Sequence, residues 1–361
     1  MSQIDTLWYT RCPVPTPLGI AAQLGWIEAE FAADGITVRT LQDEVDPKLR
    51  ESHFDHKLDN SFRQGGNIPA IWARSQGRQT RVVGLTWTDE AQVILVLPGS
   101  NIKSVKDLKG RRLGVATRPA DIIDFWKATT IRAYVAALKL EGLSEADVEF
   151  VELPRAEVSS IAGPRQAEPA GTFIEQSLEA QALLRGEVDA IFHKGSRGLE
   201  LADALGARIV YDVGKHPDPS VRVNNGSPRT LTVDAGLLRT NLPLVVRLVK
   251  QVLLAGQWAE QHPKEAVAYV AQETRSSQDA VLRAYGKDVN HHLKTDVRES
   301  SISALSDFKD FLLKWKFIPH DFDVASWVDP TPFRLAQQEL LDARGRTHRT
   351  ALEPQWSPWV G

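Results

Sequence analysis

Cys12 is the only cysteine in 361 residues, so no internal disulfide can form and any thiol chemistry must fall on that one side chain. No apolar run approaches the ~20 residues needed to cross a bilayer, and no block of like charge occurs. With 43 basic against 46 acidic residues the net charge is -3. That balance withholds the electrostatic footprint that a phosphate backbone or an anionic membrane requires, so neither nucleic acid nor membrane is an expected partner. Residues 1–9 carry neither a basic n-region nor an apolar h-region, and the chain reads as cytoplasmic. Walker, GxGxxG and GxSxG patterns are missing. The adjacent pair His291 and His292 would point two ways on a helix and reads as ordinary loop histidines. No metal and no cofactor is therefore expected, and the protein is read as a monomer.

What is present is enough apolar material for two cores, 42% of the residues, in an alternation of strands and helices. The pattern predicts a strand over residues 6–9, a helix over 17–34 stopped by Asp34-Gly35, and a strand over 36–41. The polar stretch 42–52 reads as an exposed loop able to order around a ligand. Strands follow over 81–87 and 92–97, then a second lobe beginning near Pro98. That lobe holds strands near 111–116, 148–153, 188–192 and 208–211. Its Ala-, Gly-, Pro- and Ser-rich stretch 154–172 is read as a lid. Near 229–233 the chain crosses back, and the remainder is helical. The fold class expected is α/β, two lobes with mixed, mostly parallel sheets: residues 1–97 plus 230–361, and residues 98–229. A ligand would sit between them at the carboxyl ends of the strands.

The chemistry-bearing residues gather in two stretches. Cys12 stands where the first strand meets the first helix, whose leading amides could lower a thiol pKa. Thr10, two residues earlier, shares its face by strand alternation. His53 would orient or deprotonate the thiol, with His56 as a nearby competitor. Arg63 offers a planar fork for two oxygens of an oxyanion, and Gly65 and Gly66 let backbone N–H groups approach them. The plainer readings are a buried structural cysteine, two solvated histidines and a surface arginine beside a turn.

Three phrases resemble the type II periplasmic-binding-protein fold, in its nitrate/sulfonate/taurine-binding branch: Ile20-Ala21-Ala22-Gln23-Leu24-Gly25-Trp26-Ile27, Val105-Lys106-Asp107-Leu108-Lys109-Gly110, and Leu184-Arg185-Gly186-Glu187-Val188-Asp189-Ala190. Within that branch, Cys12-Pro13-Val14-Pro15, together with His53-Phe54, Arg63, Gly65-Gly66 and Ile68-Pro69, is similar to the 2'-hydroxybiphenyl-2-sulfinate desulfinase family. The resemblance implies a nucleophilic cysteine at Cys12, an active-site histidine at His53, a sulfinate-binding arginine at Arg63 and an amide contact at Gly66. It also implies cleavage of a carbon–sulfur bond in an organic sulfinate, releasing sulfite without a cofactor. The partner expected is thus a small anionic organosulfur substrate. Where that family has apolar aromatic residues, this chain has His193, Lys194 and Arg197, with Arg222 further on. These polar residues point to a smaller or additionally charged sulfinate, with Trp126 and Phe125 as aromatic walls. The alternative is a solute-binding protein of a sulfonate-, nitrate- or taurine-type transporter, holding the same ligand without chemistry. A third reading is a ligand-sensing regulatory protein, or the pyrimidine-synthesis branch of the same fold, whose cysteine-rich run is lacking.

Overall fold

The computed structural model describes residues 4–155 and 177–352, with side chains described as far as residue 343. The expected lid at 154–172 lies, from 156 onward, outside the described residues. Two mixed sheets organise the molecule. The first runs β11-β4-β10-β3-β1-β2 and the second β7-β6-β8-β5-β9. In chain order the strands are β1 Thr6–Arg11, β2 Thr37–Thr40, β3 Ser61–Gly65, β4 Thr80–Thr86, β5 Gln92–Val96, β6 Arg112–Thr117, β7 Glu149–Pro154, β8 Ala190–Lys194, β9 Arg208–Asp212, β10 Arg229–Asp234 and β11 Thr295–Asp296.

Each sheet has a parallel half and an antiparallel half, a larger antiparallel share than the alternation suggested. β2, β1 and β3 are parallel, whereas β10 runs antiparallel to β3 and β4. Likewise β7, β6 and β8 are parallel, and β5 is antiparallel to β8 and β9. The strand β5, expected with the first lobe, sits in the second sheet, so the crossing falls between Thr86 and Gln92 and not near Pro98. All five of its residues are buried. A continuous apolar run identifies a buried strand without saying which sheet takes it.

Two helical expectations also change. The helix anticipated over 17–34 is two, α1 Pro17–Gln23 and α2 Trp26–Ala32, because Gly25 adopts φ +69° and stops the first. The polar loop expected over 42–52 is helical from Pro47 on, in α3, which runs Pro47–Asp55. Asp46 caps it by accepting from the Lys48 amide, and Pro47 occupies the first turn. A fourth helix, α4 Asn67–Ser75, follows β3 directly. The apolar interior forms two clusters, and each draws on both sheets: Val83 and Val93 belong to one, Val82 and Ile94 to the other. Successive strand residues thus feed opposite faces. Among the described residues no helix is long and apolar enough to cross a membrane.

Candidate active site

The parallel pairing of β1 with β3 brings the two chemical stretches together. Thr10 lies opposite Arg63, and the Cys12 amide donates to the Gln64 carbonyl at 3.1 Å. Cys12 follows the last residue of β1 and is half-buried. His53, in the last turn of α3, spans the two side chains that alternation places on one face: its Nδ1 is 2.7 Å from Thr10 Oγ1 and its Nε2 is 3.5 Å from Cys12 Sγ. Arg63 is 2% exposed. Its Nε and Nη1 donate to the carbonyls of His53 and Gly66, both at 2.8 Å, and Nη2 donates to Cys12 Sγ at 3.3 Å. Burial pushes this guanidinium down from its usual pKa, and the cysteine beside it pulls the other way. Gly65 makes room for the sulfur: a Cβ there would lie 2.3 Å from Sγ. At Gly66 a Cβ would meet the Asn225 side-chain amide at 2.6 Å. That amide is already engaged, since Asn225 Oδ1 accepts from the Ile68 N–H.

These groups open onto a cavity of about 470 Å³. Thr10, Cys12, His53, Arg63 and Gly66 line it, as do Phe54, Phe125 and Trp126, which form an aromatic wall. The rings of Phe54 and Phe125 stack at 5.9 Å, and Trp126 meets His193 edge-on at 5.2 Å. His193, Lys194 and Arg197, expected from the sequence, face the same space. His193 Nδ1 accepts from the Lys194 amide at 3.0 Å, and burial pushes its pKa down despite the neighbouring Glu179. Lys194 is bound to Glu90 at 2.6 Å, and Arg229 reaches the other oxygen of the same carboxylate at 3.0 Å. Burial alone would raise the Glu90 carboxyl, but Lys194 and Arg229 more than offset it and hold it below the ordinary range. Among the described lining residues seven side chains are lysine or arginine, and Glu90 is the one carboxylate. The cavity is suited to an anion with an aromatic body.

Three expectations are corrected. The leading amides of α1 do not reach the thiol: the Gly19 amide donates to Thr16 Oγ1 and the Leu18 amide to Gln64 Oε1. The polar groups near the sulfur are His53 Nε2 and the donating Arg63 Nη2 instead. His56 does not line the cavity. It ends α3 with φ +53° and is buried, its Nδ1–H donating to the Phe54 carbonyl at 3.1 Å and its Nε2 3.3 Å from Thr232 Oγ1. Burial, then the charge of Arg63, pushes its pKa to about 3, so it is neutral at any working pH. Arg222 is turned away as well, bound to Asp89 at 2.9 Å and to the carbonyls of His216 and Pro217. Of the polar run it belongs to, Asn225 and Gly226 are the residues at the cavity.

The model of a family described as NMT1/THI5 like matches residues 13–266. The chain belongs to the NMT1/THI5-like family. One relative is the 2'-hydroxybiphenyl-2-sulfinate desulfinase of Rhodococcus erythropolis, 29% identical over 353 residues, covering 90% of this chain and 92% of the relative. A crystal structure of a cysteine-to-serine mutant of the desulfurization enzyme DSZB, in complex with biphenyl-2-sulfinic acid, superposes with a TM-score of 0.70. The two are 25% identical, over 93% of this chain and 100% of that one. The periplasmic aliphatic sulphonate binding protein SsuA from Escherichia coli shares the fold, with a TM-score of 0.64 at 16% identity, covering 91% and 92% of the two chains.

Several site residues of this NMT1/THI5-like chain were missed by sequence reasoning. Gln42 donates to Thr10 Oγ1 at 3.1 Å and also to the Arg11 carbonyl, which fixes its amide nitrogen toward the site. Glu90 and Arg229 stand at the two places where the chain passes between sheets. Arg118, directly after β6, lines the cavity from the second sheet. Its position at the carboxyl end of a strand was a readable signal. Among the described residues no group of three or more His, Cys, Asp or Glu side chains is placed to hold a metal ion.

Proposed function

We propose that the protein is a desulfinase that cleaves the carbon–sulfur bond of an organic, aromatic sulfinate and releases sulfite. The observation that carries this reading is the convergence of His53 Nε2 and Arg63 Nη2 on Cys12 Sγ, 3.5 and 3.3 Å away, at the wall of a cationic, aromatic-lined cavity. The likeness to a sulfinate desulfinase over 90% of the chain supports it.

The net reaction is R–SO2⁻ plus water giving R–H plus HSO3⁻, a hydrolysis with no change of redox partner. With the thiol protonated, His53 Nδ1–H donates to Thr10 Oγ1, whose other lone pair takes the Gln42 amide, and Nε2 faces the S–H. Passing that proton to Nε2 gives a thiolate–imidazolium pair without moving a heavy atom, and Arg63 then donates to the sulfur anion. Thiolate attack on the sulfinate sulfur breaks the C–S bond, and the imidazolium proton goes to the departing carbon. Water then cleaves the Cys12–SO2⁻ adduct to HSO3⁻ and the thiol. A second route uses the same atoms: the thiol protonates the ring carbon directly, and the SO2 released hydrates to sulfite. Intact-mass spectrometry of acid-quenched turnover distinguishes the routes, since the first alone leaves an SO2 adduct on Cys12.

The test is sulfite release from a panel of aryl and alkyl sulfinates, with Cys12→Ser beside the wild type. Sulfite from the wild type, and a loss on the order of 10³-fold or more in Cys12→Ser with ligand binding retained, is expected. Thermal stabilisation of both proteins by sulfinates or sulfonates, without sulfite from either, would make the protein a binding protein instead.

A further inference from the structure

We infer that the cavity selects sulfinates bearing a second oxyanion, a carboxylate or sulfonate on the aromatic body, which Arg118 binds with Arg50 beside the same wall. This rests on the desulfinase reading for the chemistry at Cys12, but the binding preference can be measured without it.

Four of the seven lining cations have work that does not involve a ligand's far end. Lys194 and Arg229 share Glu90, Arg63 holds two carbonyls and the cysteine, and Arg197 donates to the Arg275 carbonyl at 3.4 Å. Arg118 differs. Its guanidinium lies over the rings of Phe125 and Trp126, 5.1 and 5.5 Å from their centroids, and among the described residues its side chain has no hydrogen bond and no ion pair. Asp121, Asp124 and Glu179 act on it from a distance, but none of them lines the cavity. Asp124 is taken up by the backbone amides of Arg118 and Lys127, and Glu179 by Trp126 Nε1 and Ser177. Burial pushes the half-buried Arg118 guanidinium down, and the more distant carboxylates of Asp121, Glu179 and Asp124 only partly offset it.

Arg50 adds an independent observation. It is 7% exposed, lines the cavity, and its buried Nη1 has no hydrogen-bond partner among the described residues. One helical turn separates it from Phe54, whose ring stacks on Phe125, so Arg50 and Arg118 flank the same aromatic wall. A purely hydrocarbon substituent would leave both guanidinium groups desolvated and unpaired. An oxyanion would satisfy the fork of Arg118 in two-point fashion, with the ring along the wall and the sulfinate at Arg63 and Cys12.

The probes are benzenesulfinate, its 2-, 3- and 4-carboxylate derivatives, and biphenyl-2-sulfinate. Binding is measured by calorimetry on the Cys12→Ser protein, and sulfite release on the wild type, each alone and combined with Arg118→Gln or Arg118→Lys. At least one carboxylated isomer is expected to bind about tenfold or more tighter than benzenesulfinate. That ratio should collapse in Arg118→Gln and return in part in Arg118→Lys, a pattern that loss of packing would not produce. Equal binding of carboxylated and plain sulfinates, or an advantage that survives Arg118→Gln, overturns the inference. Arg118-dependent binding of a carboxylated isomer, with no sulfite from any probe, leaves the subsite standing and sinks the desulfinase reading. Sulfite from benzenesulfinate without any carboxylate advantage does the reverse.

Discussion

At the scale of single residues, one imidazole joins two side chains that a strand places two positions apart. That Thr10 and Cys12 share a face was legible from alternation alone. That His53 would reach both was not, because 41 residues separate it from Cys12 and only the resemblance linked them. His56 misled for a related reason: spacing shows which residues are close in sequence, whereas its left-handed backbone turns the ring away from the cavity and toward Thr232. Its folded pKa of about 3 has a consequence for stability. Between that value and the ordinary ~6.5 the unfolded chain takes up a proton that the folded state refuses. The full contribution is therefore present above pH ~6.5 and is lost as pH falls toward 3. Urea unfolding at pH 7 and pH 5 is expected to show a smaller loss of stability on acidification in His56→Asn than in the wild type, whatever the substitution costs at pH 7.

At the scale of elements, the site depends on two parallel strands ending side by side and on one polar helix. The first strand was readable over residues 6–9, but β3 was not, since in Ser61–Gly65 Phe62 is the one large apolar side chain and the buried Arg63 and Gln64 break any alternation. Nor was the helix α3, since its sequence, PKLRESHFD, lacks an apolar stripe and its buried face includes Arg50, Ser52 and Asp55. Asp46-Pro47 carried the start signal, and the polarity of the stretch outweighed it. The end of β3 is where the fit is tightest. In Gly65→Ala the new methyl would fall 2.3 Å from Sγ and 2.7 Å from Cys12 Cβ, so the sulfur or the strand must shift. Sulfite release is expected to fall by on the order of 10²-fold, as misplaced reacting groups do. The overpacking should cost ~1–3 kcal/mol in a denaturant titration.

At the scale of the whole molecule, the α/β class and the two sheets follow from the alternation of elements, but the sheet to which β5 belongs does not. The passage between sheets is secured by Glu90, which faces Lys194 of the second sheet and Arg229 of the first. All three line the cavity. Removing the carboxylate leaves two cations unpaired, and Glu90→Ala is expected to destabilise the protein by ~3–5 kcal/mol, read by chemical denaturation at pH 7. The solitary thiol has a practical bearing on the molecule as a whole. With one sulfhydryl per chain, and that one half-buried at the cavity wall, every equivalent of an alkylating reagent consumed reports on a single known position. A fluorophore attached there needs no background of removed cysteines. The rate of its attachment, slowed when a ligand occupies the space, serves as an occupancy gauge for compounds that are never turned over.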